Sequence, residues 1–512
     1  MRLKKWGFEH YLLLISTASL GLGAGFQGAT GAGAFLPGFL AASLLIFVCS
    51  FLMLLTWRWA GGGKVLAWMM ILAFVLRLVL AAFLIWGLPQ FGYDTGPQQI
   101  GFVFEDAFRR EESAWQLAKS DQSLLRAFSD EYNRDQYGGM LMLSALVYRV
   151  LTPDAYRPGL IAILSAAALT LSIPLFVTTL RRQFTRRTAT WAGWILALYP
   201  EGLLLGAAQM REPFFILLIC ILFWALAHWL DRAHLKLVLP VFALGTVTFL
   251  LFSYRVAIPS LGVLFLWVWV VESGRMTKVW LKVLGWALIA LAGVGSLYFI
   301  RPWLAEVLRW DAHLTVMQSG MVQFLLERLP AGLTFPFILI YGLLQPVLPA
   351  AIAVPGPAIW KSISIFRALG WYTLLPLLVY ATIRIWKAEP PVRKRWLGVF
   401  LMAALAWLLI ASARAGGDQW DNPRYRTIFL PWMALLAGWG LDFAGRTKDR
   451  WLGRLLAVEG VFLLFFTEWY VSRYFPVIPR LEFELMVGLI VVLSLAILLG
   501  GWLWDRRKKL SK

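Results

Sequence analysis

The residues in this chain best placed to do chemistry are carboxylates beside apolar runs. The clearest lie in Gly101-Phe-Val-Phe-Glu-Asp-Ala-Phe-Arg-Arg-Glu-Glu-Ser-Ala-Trp-Gln-Leu-Ala118. Read as a helix, Phe104, Phe108 and Trp115 share one face while Asp106, Arg109, Arg110 and Ser113 share another, the pattern of an interfacial helix with an apolar underside. A carboxylate held there can take a proton from a hydroxyl or bind a divalent cation through oxygen. The same pattern also fits a solvated surface helix, and Glu105 and Asp94 compete with Asp106 for the role of base. Glu212, in Met210-Arg-Glu-Pro-Phe-Phe215, opens another apolar run. Its position before Pro213 suits a helix N-terminus, where the dipole favours a carboxylate, and acids at membrane depth are expensive unless paired or functional. Asp106 and Glu212 are the pair to hold a divalent cation if one is used; no other cofactor is indicated.

Arginines supply the complement. Arg109, Arg255, Arg301, Arg414, Arg424 and Arg426 fall in connections between apolar runs, with Tyr425 between the last two. Guanidinium groups bind phosphate oxygens bidentately and stay charged, although each alone also suits snorkelling to lipid head groups. Arg77 differs, standing midway along an apolar run, where it either pairs inside the bundle or supports a helix contact. The histidines lack ligand spacing, Cys49 and Cys220 lie in separate apolar runs, and neither a phosphate loop nor a GxSxG elbow occurs.

The elements that must position these groups are membrane helices. The 512 residues are 60% hydrophobic and 15% charged, with a mean hydropathy of +0.70, which excludes a water-soluble globule. We expect an all-α polytopic membrane protein. About 14 runs reach the ~20 residues that a bilayer needs: 11–29, 35–57, 65–88, 159–180, 188–209, 213–230, 237–253, 256–272, 279–300, 362–384, 396–413, 427–444, 455–472 and 483–503. Two further stretches, 137–151 and 333–352, read as re-entrant or membrane-surface segments, allowed only where protein or a wet cavity covers the backbone. Alternating the runs from a cytoplasmic N-terminus collects the basic clusters 181–187, 384–395, 446–454 and 506–512 on the inner side, as the positive-inside rule requires. The net charge of +20 then calls for no nucleic-acid partner. Both termini are expected in the cytoplasm and the long connections 89–136 and 301–331 outside, with the amphipathic segments 102–119 and 303–328 roofing an outer cavity.

In order along the chain, the motifs resemble the GT-C superfamily of membrane glycosyltransferases, in particular the branch similar to protein mannosyltransferases and aminoarabinose transferases. They are a span with an internal arginine (Phe74-Val-Leu-Arg-Leu-Val), the acidic Glu105-Asp106 followed by Ala114-Trp-Gln-Leu-Ala118, and the short helix Tyr137 to Arg149. The basic turn Leu180 to Arg187, the run Trp191 to Pro200, Glu212-Pro-Phe-Phe and Pro423-Arg-Tyr-Arg-Thr-Ile-Phe-Leu-Pro431 follow. The resemblance covers roughly 65–445, with 1–64 as an N-terminal two-helix addition and 446–512 as a two-helix segment with a basic tail. It implies a GT-C-like fold and an inverting transfer from a polyprenyl-phosphate sugar to a glycan, lipid or protein acceptor at the extracytoplasmic face of the cell membrane. Asp106 then matches the catalytic acidic position, with Glu105 beside it, Glu212 matches the second carboxylate, and Asp94, Arg109, Arg255, Arg301, Arg424, Tyr425 and Arg426 bind substrate. The first motif departs from the common order of Asp-Glu followed by Tyr, so the base stays open among Asp94, Glu105 and Asp106. A polysaccharide polymerase or ligase, a lipid-linked glycan flippase or transporter, and a non-catalytic assembly factor are the competing classes.

Overall fold

A computed structural model describes the chain apart from residues 1–6, 136–137, 234, 292, 296–328, 416–417, 476–478, 480 and 511–512. Every regular element among the described residues is a helix. Ten of these helices are long and apolar enough to cross a bilayer, or eleven if the bent pair Asp421–Thr427 and Leu430–Thr447, 74° apart, forms one span. The protein is therefore a multi-pass membrane protein, and its described residues pack as two compact units, Met1–Val268 and Trp269–Lys512.

In the first unit, α1 (Phe8–Thr30), α2 (Phe35–Trp59), α3 (Lys64–Phe91), α7 (Gly159–Leu180) and α10 (Glu212–Leu230) are uninterrupted apolar helices. Between α3 and α7 lie the one-turn α4 (Gly96–Gln99), the acidic α5 (Glu105–Lys119), two short 3-10 segments, and α6 (Gly138–Leu151). At 14 residues α6 is too short to span comfortably. The run at 188–209 differs from the single span expected: it is split at Tyr199–Pro200 into α8 (Arg186–Leu198) and α9 (Pro200–Ala207). Proline cannot donate to the preceding turn, and its ring displaces the residue before it from helical geometry, so Tyr199 has ψ 123°.

The next helical stretch, α11 (Leu235–Ser273), is interrupted in its middle by an extended residue, Ser253. Phe242 and Phe265 lie 23 positions apart, which a straight helix would stretch to ~35 Å, yet their ring centroids are 6.0 Å apart. The chain therefore doubles back at Ser253. Phe249 packs on Phe215 and Trp267 on Phe223, so the two halves run antiparallel along α10. Each half is roughly 27–30 Å long, matching the expected runs 237–253 and 256–272. At the turn, a Cβ on Gly139 would stand 2.6 Å from the Leu251 carbonyl, so only glycine lets the start of α6 approach this closely.

The second unit holds α12 (Ala331–Leu344), α13 (Leu348–Ala353), α14 (Ala358–Arg384), α15 (Pro391–Arg414), α16 (Asp421–Thr427), α17 (Leu430–Thr447), α18 (Trp451–Tyr474) and α19 (Phe483–Leu510). The stretch 333–352 is broken between α12 and α13, as a re-entrant reading requires. Part of the expected span 279–300, all of the expected roof 303–328 and Arg301 lie outside the described residues.

Candidate active site

The acidic helix α5 is held by its buried side chains. Ala107, Glu111, Ala114 and Ala118 recur at i, i+4, i+7 and i+11, and the three alanines of this stripe let α5 lie closely on α6. Arg110 and Glu111 are 1% and 0% exposed. Arg110 Nε donates to Glu111 Oε1 at 3.1 Å, Ser144 Oγ donates to the same oxygen at 3.0 Å, and Tyr148 Oη donates to Glu111 Oε2 at 2.7 Å. Ser144 and Tyr148 are i, i+4 on α6, so one carboxylate bolts two helices together. Burial pushes the Glu111 carboxyl above the usual carboxylate range, opposed by the Arg110 guanidinium and by the bonds from Tyr148 and Ser144. Burial likewise raises the Tyr148 phenol, and the adjacent Glu111 charge raises it further.

A second fastening is at the C-terminus of α5. Arg149 Nη2 donates to the carbonyls of Leu117 at 2.6 Å, Ser120 at 3.0 Å and Gln122 at 2.9 Å, and its Nε to Ala118 at 3.2 Å. A cation there satisfies carbonyls the helix leaves open and complements its dipole.

The third fastening matters most for chemistry. Arg110 Nη2 donates to the backbone carbonyl of Gln209, in the connection between α9 and α10. Ser165 Oγ of α7 donates to the next carbonyl, that of Met210, at 3.3 Å. Arg110 follows Asp106 by one helical turn, and Gln209 precedes Glu212 by three residues. The two acidic motifs, about a hundred residues apart in sequence, thus meet in one neighbourhood of the first unit. Asp106 is half-buried in the first turn of α5 and accepts from the Ala107 N–H at 3.0 Å. Glu212 is 1% exposed in the first turn of α10, and Glu201 is fully buried in the first turn of α9. Glu105 is exposed and ion-paired with Arg109. Asp94 is exposed and accepts from Gln99 Nε2 at 3.1 Å. Arg255 is exposed two residues beyond the Ser253 reversal, its guanidinium carbon 5.9 Å from the Tyr254 ring centroid. No cluster of three or more His, Cys, Asp or Glu side chains suited to a metal ion occurs among the described residues.

The face of α5 that packs inward differs from the one read in the sequence. The underside is the Ala107–Glu111–Ala114–Ala118 stripe with Arg110, whereas Phe108 and Trp115 are only half-buried. Arg110 leaves the polar face because Glu111 and the Gln209 carbonyl satisfy it inside. Charges read by default as solvated, so the sequence places Arg110 on the polar face and does not single out Glu111; the Ala–Glu–Ala–Ala spacing is the signal that marks Glu111 as buried. Arg77 is fully buried, with Nη1 donating to the Ala73 carbonyl at 2.7 Å. A Cβ on Gly206 of α9 would stand 2.5 Å from its Cδ, so Arg77 supports a close contact between α3 and α9. Its Nε and Nη2 find no hydrogen-bond partner among the described residues.

Arg424, Tyr425 and Arg426 lie in the second unit, where Arg426 helps to close a broken helix. The end of α12 leaves four carbonyls open. Asn422 Nδ2 donates to Gly342 at 2.9 Å, Trp371 Nε1 to Leu343 at 2.8 Å, Tyr372 Oη to Leu344 at 3.2 Å, and Arg426 Nη2 to Gln345. The Arg426 guanidinium carbon also stands 3.7 Å from the Trp371 ring centroid. Arg424 pairs with Asp421 at 3.4 Å, and the guanidinium carbons of Arg414 and Arg424 lie 5.2 and 5.1 Å from the Tyr425 ring centroid. Tyr425 donates to Asp421 Oδ2 at 3.2 Å.

No family model, no curated protein and no solved structure matches this chain.

Proposed function

We propose that this protein is a membrane glycosyltransferase that moves a sugar from a polyprenyl-phosphate donor to an acceptor hydroxyl at the extracytoplasmic face, with inversion. The observation that supports it is the Arg110–Gln209 hydrogen bond, which draws the acidic helix and the Glu212 turn to one end of the first unit. An inverting transfer needs a base near the acceptor and charge stabilisation near the leaving group. In this reading the Asp106 carboxylate accepts the hydroxyl proton as the acceptor oxygen attacks the anomeric carbon. The bond from that carbon to the phosphate oxygen breaks, and the electron pair leaves with the phosphate. Arg255, exposed in the first unit three residues after Phe252, whose ring packs on Phe214 of the Glu212 turn, supplies the guanidinium that meets the departing charge. Glu212 serves as the second carboxylate, orienting the acceptor or joining Asp106 around a divalent cation. Arg426 is already committed to backbone carbonyls and is the weaker candidate for phosphate.

The test is transfer by protein reconstituted into proteoliposomes with polyprenyl-phosphate sugars. Asp106→Asn is expected to abolish transfer while expression and melting stay near wild type; normal turnover would remove Asp106 from the role. The helix breaks at Tyr199–Pro200 and between α16 and α17 favour one alternative, since a lipid-linked glycan transporter uses discontinuous helices. Movement of a lipid-linked sugar across the bilayer, with no new glycosidic bond, would select that reading.

A further inference from the structure

A cavity of about 190 Å³ opens in the first unit, where the ends of α1 and α3 meet α4 and the start of α7. Its floor is buried and mostly apolar, with Phe26 and Leu160, while Gln99 and Ile100 are exposed at its mouth. It exceeds the ~150 Å³ of an engineered cavity that admits a benzene ring, so it has room for one six-membered ring. Its polar lining is of amide and hydroxyl type, Gln27, Thr30, Gln99 and Tyr156; Gln27 Nε2 donates to the Ala32 carbonyl at 3.0 Å and Gln99 Nε2 to Asp94 Oδ1 at 3.1 Å, so it is the amide oxygens that a ligand hydroxyl would meet. The one charged lining residue, Arg157, is already neutralised. Its Nη1 and Nη2 donate to the two carboxylate oxygens of Asp154 at 2.6 and 2.7 Å, and its Nε and Nη2 to the carbonyls of Ala32 and Ala34 at 3.0 Å each. Nε and Nη2 thus tie the α1–α2 connection to the start of α7 while Nη1 and Nη2 hold Asp154, and an anionic ligand would have to displace Asp154. The Tyr156 hydroxyl is shielded and finds no hydrogen-bond partner among the described residues. An apolar floor, a neutral hydrogen-bonding wall and a ring-sized volume are what an uncharged sugar ring requires, with C–H faces against Phe26 and hydroxyls donating to the amide oxygens.

We propose that this cavity binds the neutral hydroxylated ring of a membrane amphiphile, a glycosyl head group whose apolar tail stays in the bilayer. Such binding goes beyond the transfer reaction, because it is independent of turnover. Tyr156 links the two regions structurally: its ring centroid lies 5.6 Å from that of Tyr148, the donor to Glu111, and 5.8 Å from Trp115 of α5.

The experiment is equilibrium binding of radiolabelled octyl glucoside, below its micelle concentration, to protein in lipid nanodiscs. Octanol and octyl phosphate are the competitors. Saturable binding is expected, with unlabelled octyl glucoside displacing the label at least ~10-fold better than either competitor. Leu160→Trp, which fills the floor, should abolish binding. Gln99→Ala, at the exposed mouth and remote from core packing, should weaken it about fivefold without changing the melting temperature, and it decides the matter if Leu160→Trp does not fold. Equal displacement by octanol reduces the cavity to an apolar slot and overturns the proposal, as does stronger displacement by octyl phosphate. Undiminished binding in Gln99→Ala places the ligand elsewhere. Each result stands whether or not Asp106→Asn abolishes transfer.

Discussion

The two units use buried charge for opposite ends. In the first, Glu111 and Arg110 pair within α5, and their other bonds run to α6 and to the α9–α10 connection. In the second, Arg426 and Asn422 are equally buried, but their bonds end on the open carbonyls of α12. The first arrangement fixes where an acidic motif stands. The second makes a helix break tolerable in an environment without water, where each open carbonyl costs several kcal/mol. A buried polar residue in a membrane protein therefore calls attention to a site only when its partners are side chains or turns of other functional elements; partners that are orphan helix-end carbonyls indicate repair of the fold.

The sharpest way to break this contrast is Glu111→Ala, which leaves Arg110 buried without its carboxylate. A loss of about 3–5 kcal/mol is expected, read as a lowered unfolding midpoint in detergent, and a loss below ~1 kcal/mol would mean that the pair does not hold α5. Arg426→Ala comes next at about 3 kcal/mol, because it strips donors from buried carbonyls. Hydrogen exchange should show the opening confined to 342–347; protection lost around α5 instead would erase the distinction between the units. Tyr148→Phe removes one bond to a charged carboxylate and should cost about 2 kcal/mol. A double-mutant cycle with Ser144→Ala tests whether the two bonds couple through Glu111, and strict additivity would argue that they do not. Smallest is Glu105→Ala, which breaks an ion pair whose side chains are 64–65% exposed and should change stability by no more than ~0.5 kcal/mol.

Much of the helical framework was legible because hydropathy and length are strong signals. The apolar runs of α1, α2, α3, α7 and α10 fall where the sequence puts them, and the antiparallel halves of α11 match two separate runs. The break at Tyr199–Pro200 was not legible, since one proline inside an apolar run barely alters its hydropathy yet ends a helix. At the candidate site the acidic motif and the Glu212 turn were visible as charges beside membrane runs. The Glu111 hub was not, because a charge reads as solvated until tertiary donors are known, and Ser144 and Tyr148 lie more than thirty residues away. Arg426 illustrates the converse: guanidinium chemistry suits phosphate and carbonyl alike, and only the position of the α12 terminus, some eighty residues upstream, discriminates.

The reversal at Ser253 bears on sidedness. A single rod of 39 residues would be nearly 60 Å long, about twice the hydrocarbon thickness, and as one crossing it would invert the polarity of every later connection. Folding back at Ser253 instead gives two antiparallel halves, each about one hydrocarbon thickness long, and one extended serine returns the end of the second half to the level of α10 near which the first began.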